Sequence, residues 1–273
     1  MSLTVATWNI NSVRLRIANV QRFLKLRKPD VLCLQETKCP DELFPHKPFE
    51  KLGYTHRLVQ GMKGYNGVAI LSKVPFQATN VHHRCGKEDC RHIEAALDIG
   101  GDPILLDNLY IPAGGDIPDP ALNIKFAHKL DFYREMAGWY AERKPAPSMK
   151  KGLRRIVVGD LNVAPLEHDV WSHKQLLDVV SHTPDETAAL EELRQEAEWI
   201  DAMRVLRPEP ENIYSWWSYR SPDWAAADKG RRLDHIWLSK GMQDTIRSID
   251  VTRATRGWDR PSDHAPVTAV LEL

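Results

Sequence analysis

Short apolar segments of strand length recur along the chain, and several of them carry a carboxylate or an amide at or near one end. In the clearest case, the apolar residues 156–158 lead directly into Gly159 and Asp160. Runs of four to eight apolar or alternating residues, bounded by turn-forming residues, are typical of β-strands. The pattern predicts strands at 3–11, 30–36, 67–72, 93–99, 104–112, 155–160, 231–239 and 266–273.

Two longer segments in the first half of the chain have apolar residues at helical spacing. The first is predicted to begin at Ser12, a favourable capping residue, and to end before Pro29. The second runs from 121 to about 143 and ends before the prolines that follow. Its apolar stripe predicts an amphipathic helix and consists of Leu122, Phe126, Leu130, Tyr133, Met136 and Tyr140.

A third helix is predicted after Thr183, where Thr183 and Glu186 form a capping box with Pro184 at the first helical position. Apolar residues at helical spacing continue this prediction to Pro208. Residues 40–65 contain several prolines and are predicted to be a loop. Alternation of strand and helix patterns favours an α/β fold, and the absence of a linker or low-complexity tract favours one domain over 1–273.

The composition is that of an ordinary globular protein, with 42% hydrophobic and 27% charged residues among 273. Lys plus Arg and Asp plus Glu both number 37, so the chain lacks the overall positive charge of a strongly basic nucleic-acid binder. Any surface that binds anions must therefore be local. Basic clusters at 14–28, 150–155 and 253–260 are candidates, although most such clusters are merely solvated faces.

The amino-terminal residues do not have the pattern of a secretory signal, and no apolar run approaches membrane-spanning length. Four cysteines in a chain of this length, without a secretory signal, favour reduced thiols. The sequence therefore predicts a cytoplasmic protein.

The segment 82–92 contains three histidines and two cysteines, which are the usual ligands of zinc. Their spacing does not match the paired cysteines of structural zinc sites, so a polar surface loop is the favoured interpretation. A disulfide between Cys85 and Cys90 is a minor alternative.

The predicted strands carry, at or near their ends, a recurring set of carboxylates and amides together with one phenol and one imidazole. These residues are Asn9, Asn11, Glu36, Asn108, Tyr110, Asp160, Asn162, Asp234, Asp263 and His264. Each alone has an ordinary structural interpretation: Gly159 to Asn162 is typical turn chemistry, and a buried amide is usually a satisfied core group. Their recurrence at strand ends favours a site, because α/β proteins build sites from the ends of several strands. Oxygen ligands of this kind suit a hard divalent ion such as Mg²⁺ or Mn²⁺.

Seven short segments, in this order, resemble the bacterial exonuclease III branch of the AP endonuclease family. They are TWNIN at 7–11, LQETK at 34–38, GVA at 67–69, NLYIP at 108–112, GDLN at 159–162, RLDH at 232–235 and SDHAP at 262–266. The resemblance covers nearly the whole chain. It implies a four-layer sandwich, in which two mixed β-sheets face each other between helices, and a metal-dependent phosphodiesterase that acts on DNA.

The resemblance also implies a metal site and a base for the attacking water. Glu36 would be the principal metal ligand, and Asn11 and Asp263 would help to complete the coordination shell. Asp160 would polarise or deprotonate the water. Two amides would hold that water in orientation: Asn9 and Asn162.

Further residues would act on the phosphate by the same resemblance. His264 would contact the scissile phosphate while Asp234 orients its imidazole and favours the charged ring. Tyr110 would contact the phosphate or assist the leaving oxygen.

The resemblance implies an apolar wall for an extrahelical abasic sugar, formed by Trp216 and Leu233. Arg220 and Lys125 are the candidate phosphate contacts, together with the basic loop before residue 155. Arg231 stands where other branches of the family carry an aromatic residue, which leaves open the balance between abasic-site cleavage and 3′ exonuclease action.

The sequence thus predicts a DNA repair hydrolase that cuts the backbone of double-stranded DNA 5′ to an abasic site and trims 3′ ends. The enzyme is expected to be a monomer. Two alternatives stay open: a phosphoesterase of the same fold that acts on small-molecule or lipid phosphates, and a non-catalytic DNA-binding module.

Overall fold

A computed structural model describes residues 1–101, 103–143 and 154–273. In the first part of the chain the elements are β1 Ser2–Asn9, α1 Ile17–Arg27, β2 Val31–Gln35, α2 His46–Glu50, β3 His56–Gln60, β4 Val68–Ser72, β5 Phe76–Arg84, β6 Lys87–Leu97, β7 Ile104–Tyr110 and α3 Ile124–Glu142. After them come β8 Arg155–Asp160, α4 His173–Leu176, α5 Pro184–Glu196, β9 Trp199–Asp201, α6 Ala202–Leu206, β10 Trp216–Trp217, α7 Trp224–Ala227, β11 Gly230–Arg231, β12 Asp234–Ser239, β13 Ile246–Val251 and β14 Val267–Glu272.

Two six-stranded sheets form the centre of the molecule, and β10 and β11 form a small separate ribbon. The first sheet has the order β13-β14-β1-β2-β4-β3 and the second has the order β5-β6-β7-β8-β12-β9. Each sheet contains one parallel pair, β1 with β2 and β7 with β8, and the other neighbours are antiparallel. Both sheets are therefore mixed, as predicted.

The core has three apolar layers. Alternate residues of both sheets, such as Val5 and Val158, pack between the sheets. Their neighbours face outwards: Trp8 packs with α1 and α2, and Val157 packs with α3 and α5. The order helix, sheet, sheet, helix confirms the predicted four-layer sandwich.

The twofold alternation of β-strands carries polar side chains to one end of the space between the sheets. In β8, Ile156 and Val158 face inwards, so Asp160 faces inwards too. Asp160 is paired in register with Tyr110 of β7 on one side and with Asp234 of β12 on the other. These three side chains therefore lie side by side where the apolar layer ends.

The first helix begins later than predicted. Asn11 and Ser12 have φ angles of 46° and 89°, and the Ser12 N–H donates to the carbonyl of Glu36 at 2.7 Å. Ser12 is therefore tied to the residues after β2 and does not cap α1, which starts at Ile17 without a side-chain cap.

The prediction of a loop over 40–65 was wrong, because α2 and β3 lie there. Phe49 and Tyr54 are fully buried against the outer face of the first sheet, and β3 pairs with β4 over its whole length. Packing against the sheet outweighs the unfavourable local sequence.

The predicted third helix divides into three elements. The capping box is present, since Thr183 Oγ1 accepts from the N–H of Glu186 and the carboxylate of Glu186 accepts from the N–H of Thr183. However, α5 ends at Glu196, and Glu198 has a φ of 53° that no α-helix accommodates. The chain then forms β9 and α6.

The segment 82–92 is a β-hairpin and not a surface loop. Cys85 and Gly86 form its two-residue turn with φ angles of 52° and 64°, the left-handed values of a type I′ turn. All four cysteines lie in the described part of the chain and are free, so Cys85 and Cys90 form no disulfide. His92 is buried, and its Nε2 forms a hydrogen bond with Asp107 at 2.7 Å. This contact gives the buried imidazole a polar partner other than zinc.

The amphipathic helix is confirmed as α3, with Asn123 as its cap and Phe126, Tyr133 and Met136 buried. Leu122 precedes the helix and is 76% exposed. The prolines predicted to end this helix and residues 150–153 of the basic loop lie outside the described residues, as does Asp102 of the turn before β7. None of the described helices combines the length and apolar character needed to cross a membrane.

Candidate active site

Most of the polar residues at the strand ends converge at one cleft, which is lined by Glu36, Tyr110, Asp160, Asn162, Asp263 and His264. β1 and β2 supply Asn9 and Glu36 from the first sheet, while β7, β8 and β12 supply Tyr110, Asp160 and Asp234 from the second. The segment before β14 adds two further side chains: Asp263 and His264. The cleft has a volume of about 690 Å³.

Asp160 is the centre of this group and is only 1% exposed. Its Oδ2 accepts hydrogen bonds from Asn9 Nδ2 at 2.8 Å and from Asn162 Nδ2 at 3.2 Å. Its Oδ1 accepts from the backbone N–H of Asn162 at 3.0 Å. Asn162 lies just beyond the strand with a φ of 56°, a conformation that asparagine tolerates better than most residues. The structure therefore brings Asp160 together with Asn9 and Asn162, the two amides predicted to orient the attacking water.

His264 lies between two carboxylates. Its Nδ1 is 2.8 Å from Asp234 Oδ2, and its Nε2 is 3.7 Å from Asp160 Oδ2. Ser215 Oγ donates to the same Asp234 oxygen at 2.6 Å, which fixes the orientation of that carboxylate. The ring of His264 is therefore held with Nε2 towards Asp160.

The protonation states follow from this arrangement. Burial lowers the pKa of His264, but the carboxylates of Asp234 and Asp160 raise it more, to about 10. Burial raises the pKa of the Asp160 carboxyl group. The neighbouring carboxylates of Asp234 and Glu36 also raise this pKa, whereas His264 lowers it. At neutral pH the imidazole is charged, and Asp160 is a stronger base than an exposed aspartate.

A second oxygen-rich group lies on the first sheet. Asn9 Nδ2 donates to Glu36 Oε1 at 2.8 Å, so one amide joins Glu36 to Asp160. Lys38 Nζ lies 2.8 Å from Glu36 Oε2 and 2.7 Å from Asn11 Oδ1. Asn11 Nδ2 donates to Asp263 Oδ1 at 3.2 Å.

This second group fits a divalent cation. The ammonium of Lys38 already bridges Glu36 and Asn11, which shows that their oxygens converge on a point suited to positive charge. Burial raises the pKa of Asp263, but His264 and the donors Asn11 and Trp216 lower it more, so its carboxylate is ionised. Carboxylate and amide oxygens are ligands for hard ions.

Another cluster could hold a metal ion on distance alone: Asp160, Asp234 and His264. The chemistry argues against it, because metal ligation requires a neutral imidazole nitrogen. His264 is engaged with Asp234 and its pKa is raised by both carboxylates. We therefore interpret this cluster as a group that holds protons and orients hydrogen bonds.

Tyr110 is buried beside both groups. Burial raises the pKa of its phenol far above the usual range, and the carboxylates of Glu36 and Asp160 add to this effect. The guanidinium of Arg91 lies 4.7 Å from the centre of the ring. Tyr110 is thus a neutral hydrogen-bond donor at the cleft floor.

One wall of the cleft is aromatic and apolar. Trp216 packs with Leu233 in a small cluster, and Trp216 Nε1 donates to Asp263 Oδ2 at 3.0 Å. Arg231 lies 5.2 Å from the ring centre of Trp216 and donates to the carbonyl of Val180 at 2.8 Å. The predicted wall therefore exists, with a fixed guanidinium at its edge.

The two predicted phosphate contacts differ in position. Arg220 lines the cleft and is exposed. Lys125 is also exposed, but it lies in the first turn of α3 and does not line the cleft. Asn108 is a core amide, since it accepts from Gln35 at 2.7 Å and donates to two backbone carbonyls of the first sheet.

Several residues at or near the site were not predicted from the sequence: Lys38, Lys129, Trp171, Ser215 and Lys229. Lys129 carried a usable signal, because it is a charged residue on the apolar face of the predicted α3 between Phe126 and Tyr133. No sequence signal marked Trp171 or Lys229. Their proximity depends on a loop that brings Lys229 Nζ to 4.5 Å from the centre of the Trp171 ring.

Comparison with known proteins agrees with this geometry. The model of the Endonuclease/Exonuclease/phosphatase family matches residues 6–264. Exodeoxyribonuclease III of Haemophilus influenzae is 31% identical over 271 residues, which cover 96% of this chain and 97% of that protein. The DNA repair nuclease APEX1 of Danio rerio is 28% identical over 278 residues, covering 100% of this chain and 83% of that protein.

Solved structures agree as well. An AP endonuclease from Archaeoglobus fulgidus superimposes with a TM-score of 0.88 at 31% identity, over 99% of this chain and 100% of that chain. The 3′ phosphatase NExo from Neisseria, bound to a product DNA hairpin, gives a TM-score of 0.88 at 28% identity with the same coverage. These findings confirm the predicted resemblance and the prediction of a phosphodiester hydrolase. The chain belongs to the Endonuclease/Exonuclease/phosphatase family, whose members depend on divalent metal ions.

Proposed function

We propose that this protein is a DNA repair hydrolase that cuts double-stranded DNA 5′ to abasic sites, leaves a 3′ hydroxyl, and trims 3′ ends. The observation that carries the proposal is the position of Asp160. Its carboxylate is held by two amides on the floor of a cleft, 3.7 Å from a charged imidazole and joined through Asn9 to an oxygen-rich group.

Asp160 is the general base in this proposal. Water bound to its carboxylate loses a proton to it and attacks the phosphorus, and the bond from phosphorus to the 3′ oxygen breaks. Asn9 and Asn162 hold the carboxylate still during this step. A positioned base of this kind accelerates proton transfer by about 10²–10⁴-fold.

Three groups stabilise the charge that develops on the phosphate. The imidazolium of His264, oriented by Asp234, donates from Nε2 to a non-bridging oxygen. Tyr110 donates its phenolic proton towards the leaving 3′ oxygen. A Mg²⁺ or Mn²⁺ ion held by Glu36, with Asn11 and Asp263 as further ligands, supplies additional positive charge when bound.

Substrate selection lies with the cleft wall. Trp216 and Leu233 face an abasic sugar, while Arg220 and Lys125 contact phosphates of the backbone. The relatives support DNA as the substrate, because one is an exodeoxyribonuclease III and another was solved with a DNA hairpin.

The proposal includes three features of the whole protein. It is one domain over residues 1–273, it acts as a monomer, and it is cytoplasmic. The free thiols of all four cysteines are consistent with a reducing compartment.

The test is incision of a duplex that carries one tetrahydrofuran lesion. We expect cleavage 5′ to the lesion with Mg²⁺ and none after addition of a chelator, while the same duplex without the lesion is cut only from its 3′ ends. If the protein fails to cut the duplex with Mg²⁺ and also fails with Mn²⁺, the proposal is refuted. Hydrolysis of a small phosphoester without DNA cleavage would instead favour a small-molecule phosphoesterase.

A further inference from the structure

A buried lysine on α3 contacts the turn that carries Asn162. Lys129 and Glu186 are both 0% exposed and form an ion pair. Lys129 Nζ also donates to the carbonyl of Asn162 at 2.8 Å and to that of Ala113 at 3.2 Å. The ammonium thus joins the residue that supports Asp160 to the loop after β7.

Tyr133 lies one helical turn after Lys129 on the same face of α3. Its hydroxyl donates to the carbonyl of Leu161. Two consecutive carbonyls of the turn, at Leu161 and Asn162, therefore receive donors from one helix. In the sequence, Tyr133 stands out only as a member of the apolar stripe of the predicted helix.

The turn needs such support. Gly159 has a φ of 147° and Asn162 has a φ of 56°, so the backbone on both sides of Asp160 has conformations that most residues disfavour. Strained backbone persists where surrounding contacts hold it. The amide of Asn162 reaches Asp160 only while the turn keeps this shape.

The ion pair of Lys129 and Glu186 is also connected to the cleft wall through hydrogen bonds. Glu186 accepts hydrogen bonds from the N–H of Ser181 at 2.8 and 2.9 Å, and Ser181 Oγ accepts from Arg231 at 2.6 Å. Arg231 in turn lies against Trp216. One buried pair thus fixes both the turn after Asp160 and the wall that faces the substrate.

We propose that Lys129 and Tyr133 are positioning residues that clamp the 160–162 turn, so that Asn162 holds Asp160 in the geometry required for water activation. The effect of this clamp on rate rests on the proposed function. Its effect on the turn itself does not.

The test compares four variants. Lys129→Met leaves Glu186 buried without its cation, which lowers the melting temperature. The double variant Lys129→Met with Glu186→Gln removes both charges and should regain most of the melting temperature lost in the single variant. It still lacks the donor to the carbonyl of Asn162. Tyr133→Phe removes the second donor. Met136→Leu changes a buried residue of the same helix whose side chain has no hydrogen-bond donor to offer the turn, and it serves as the control.

We expect the double variant and Tyr133→Phe to lower kcat on a tetrahydrofuran duplex by about tenfold each, with KM nearly unchanged and with Met136→Leu equal to wild type. Amide hydrogen exchange of the peptide covering 159–164 should become about tenfold faster in the same two variants. A double variant that regains its melting temperature together with wild-type kcat and exchange would overturn the clamp. If wild type does not cut DNA, the proposed function fails, and the exchange measurement still decides the clamp.

Discussion

At the scale of single residues, the site depends on side chains that share their hydrogen bonds. One amide, Asn9, donates to both Glu36 and Asp160, and one Asp234 oxygen meets both His264 and Ser215. Buried polar groups that share partners orient each other strongly. Changing one of them should therefore alter the orientation of its neighbours.

Replacement of Asp234 by asparagine tests the orientation of His264. The change removes a charged partner at 2.8 Å, and hydrogen bonds to charged groups contribute about 1.5–3 kcal/mol. We expect single-turnover incision to slow by about 10- to 100-fold. Ser215→Ala, which removes a neutral contact to the same oxygen, should cost only a few-fold. Equal rates for Asp234→Asn and wild type would show that the imidazole acts without its carboxylate.

Replacement of Glu36 by glutamine tests the metal site. The carboxylate contributes the charge on which Lys38 and the proposed ion depend, so its loss should raise the Mg²⁺ concentration for half-maximal activity by at least about tenfold. The measurement is the incision rate as a function of Mg²⁺. Glu42→Gln, an exposed position on a neighbouring turn, is the control. An unchanged Mg²⁺ dependence would place the ion elsewhere.

At the scale of elements, alternation within strands made most of the site predictable. β1 and β8 end in Asn9 and Asp160, and β12 begins with Asp234, each on the same face as the inward apolar residues of its strand. Alternation in the sequence therefore predicts the face of each of these side chains. Helix boundaries were harder to predict. Ser12 has a positive φ angle and donates to the carbonyl of Glu36, a tertiary contact about which propensity carries no information. Glu198 also has a positive φ angle, directly after the end of α5.

The close approach of β7 to β8 depends on a glycine. A Cβ on Gly159 would lie 1.9 Å from the carbonyl oxygen of Leu109, at a φ of 147°. We expect Gly159→Ala to lower the free energy of unfolding by about 3 kcal/mol or more in urea titration. Gly138→Ala is the matched control, because that glycine lies in α3 with open space around it. It should stabilise the protein by up to about 1 kcal/mol. Equal stability of the two variants would contradict the steric argument.

A buried histidine at the start of β12 predicts acid sensitivity. Burial, and then the neighbouring Arg232, lowers the pKa of His235 from 6.5 to about 4. The unfolded chain therefore binds a proton between pH 6.5 and 4 that the folded protein does not. Stability present above pH 6.5 is lost as the pH falls towards 4, by up to about 3 kcal/mol.

The variant His235→Gln isolates this contribution from that of the other histidines. Its amide can still donate to the carbonyl of Val163, which His235 Nε2 meets at 2.9 Å. Urea unfolding at pH 7.5 and pH 5 should show a smaller pH dependence for the variant than for wild type. Identical pH dependence would mean that His235 is not held neutral.

At the scale of the whole molecule, the site exists because two sheets end at the same place. Asn11 meets Asp263 and Trp8 meets the carbonyl of His264, across more than 250 positions of sequence. No local pattern predicts such pairings. The family resemblance implied that Asn11 and Asp263 belong to one site, whereas it implied nothing about a pairing of Lys129 with Glu186.

The role of Asp160 as the general base is tested by the variant Asp160→Asn, for which single-turnover incision and equilibrium binding are measured on the same tetrahydrofuran duplex. The substitution keeps the size and most hydrogen bonds of the side chain but removes its basicity. We expect a rate lower by about 10²–10⁴-fold, with DNA affinity within about twofold of wild type. Retention of the wild-type rate, or a loss of affinity as large as the loss of rate, would contradict the role of Asp160 as the base.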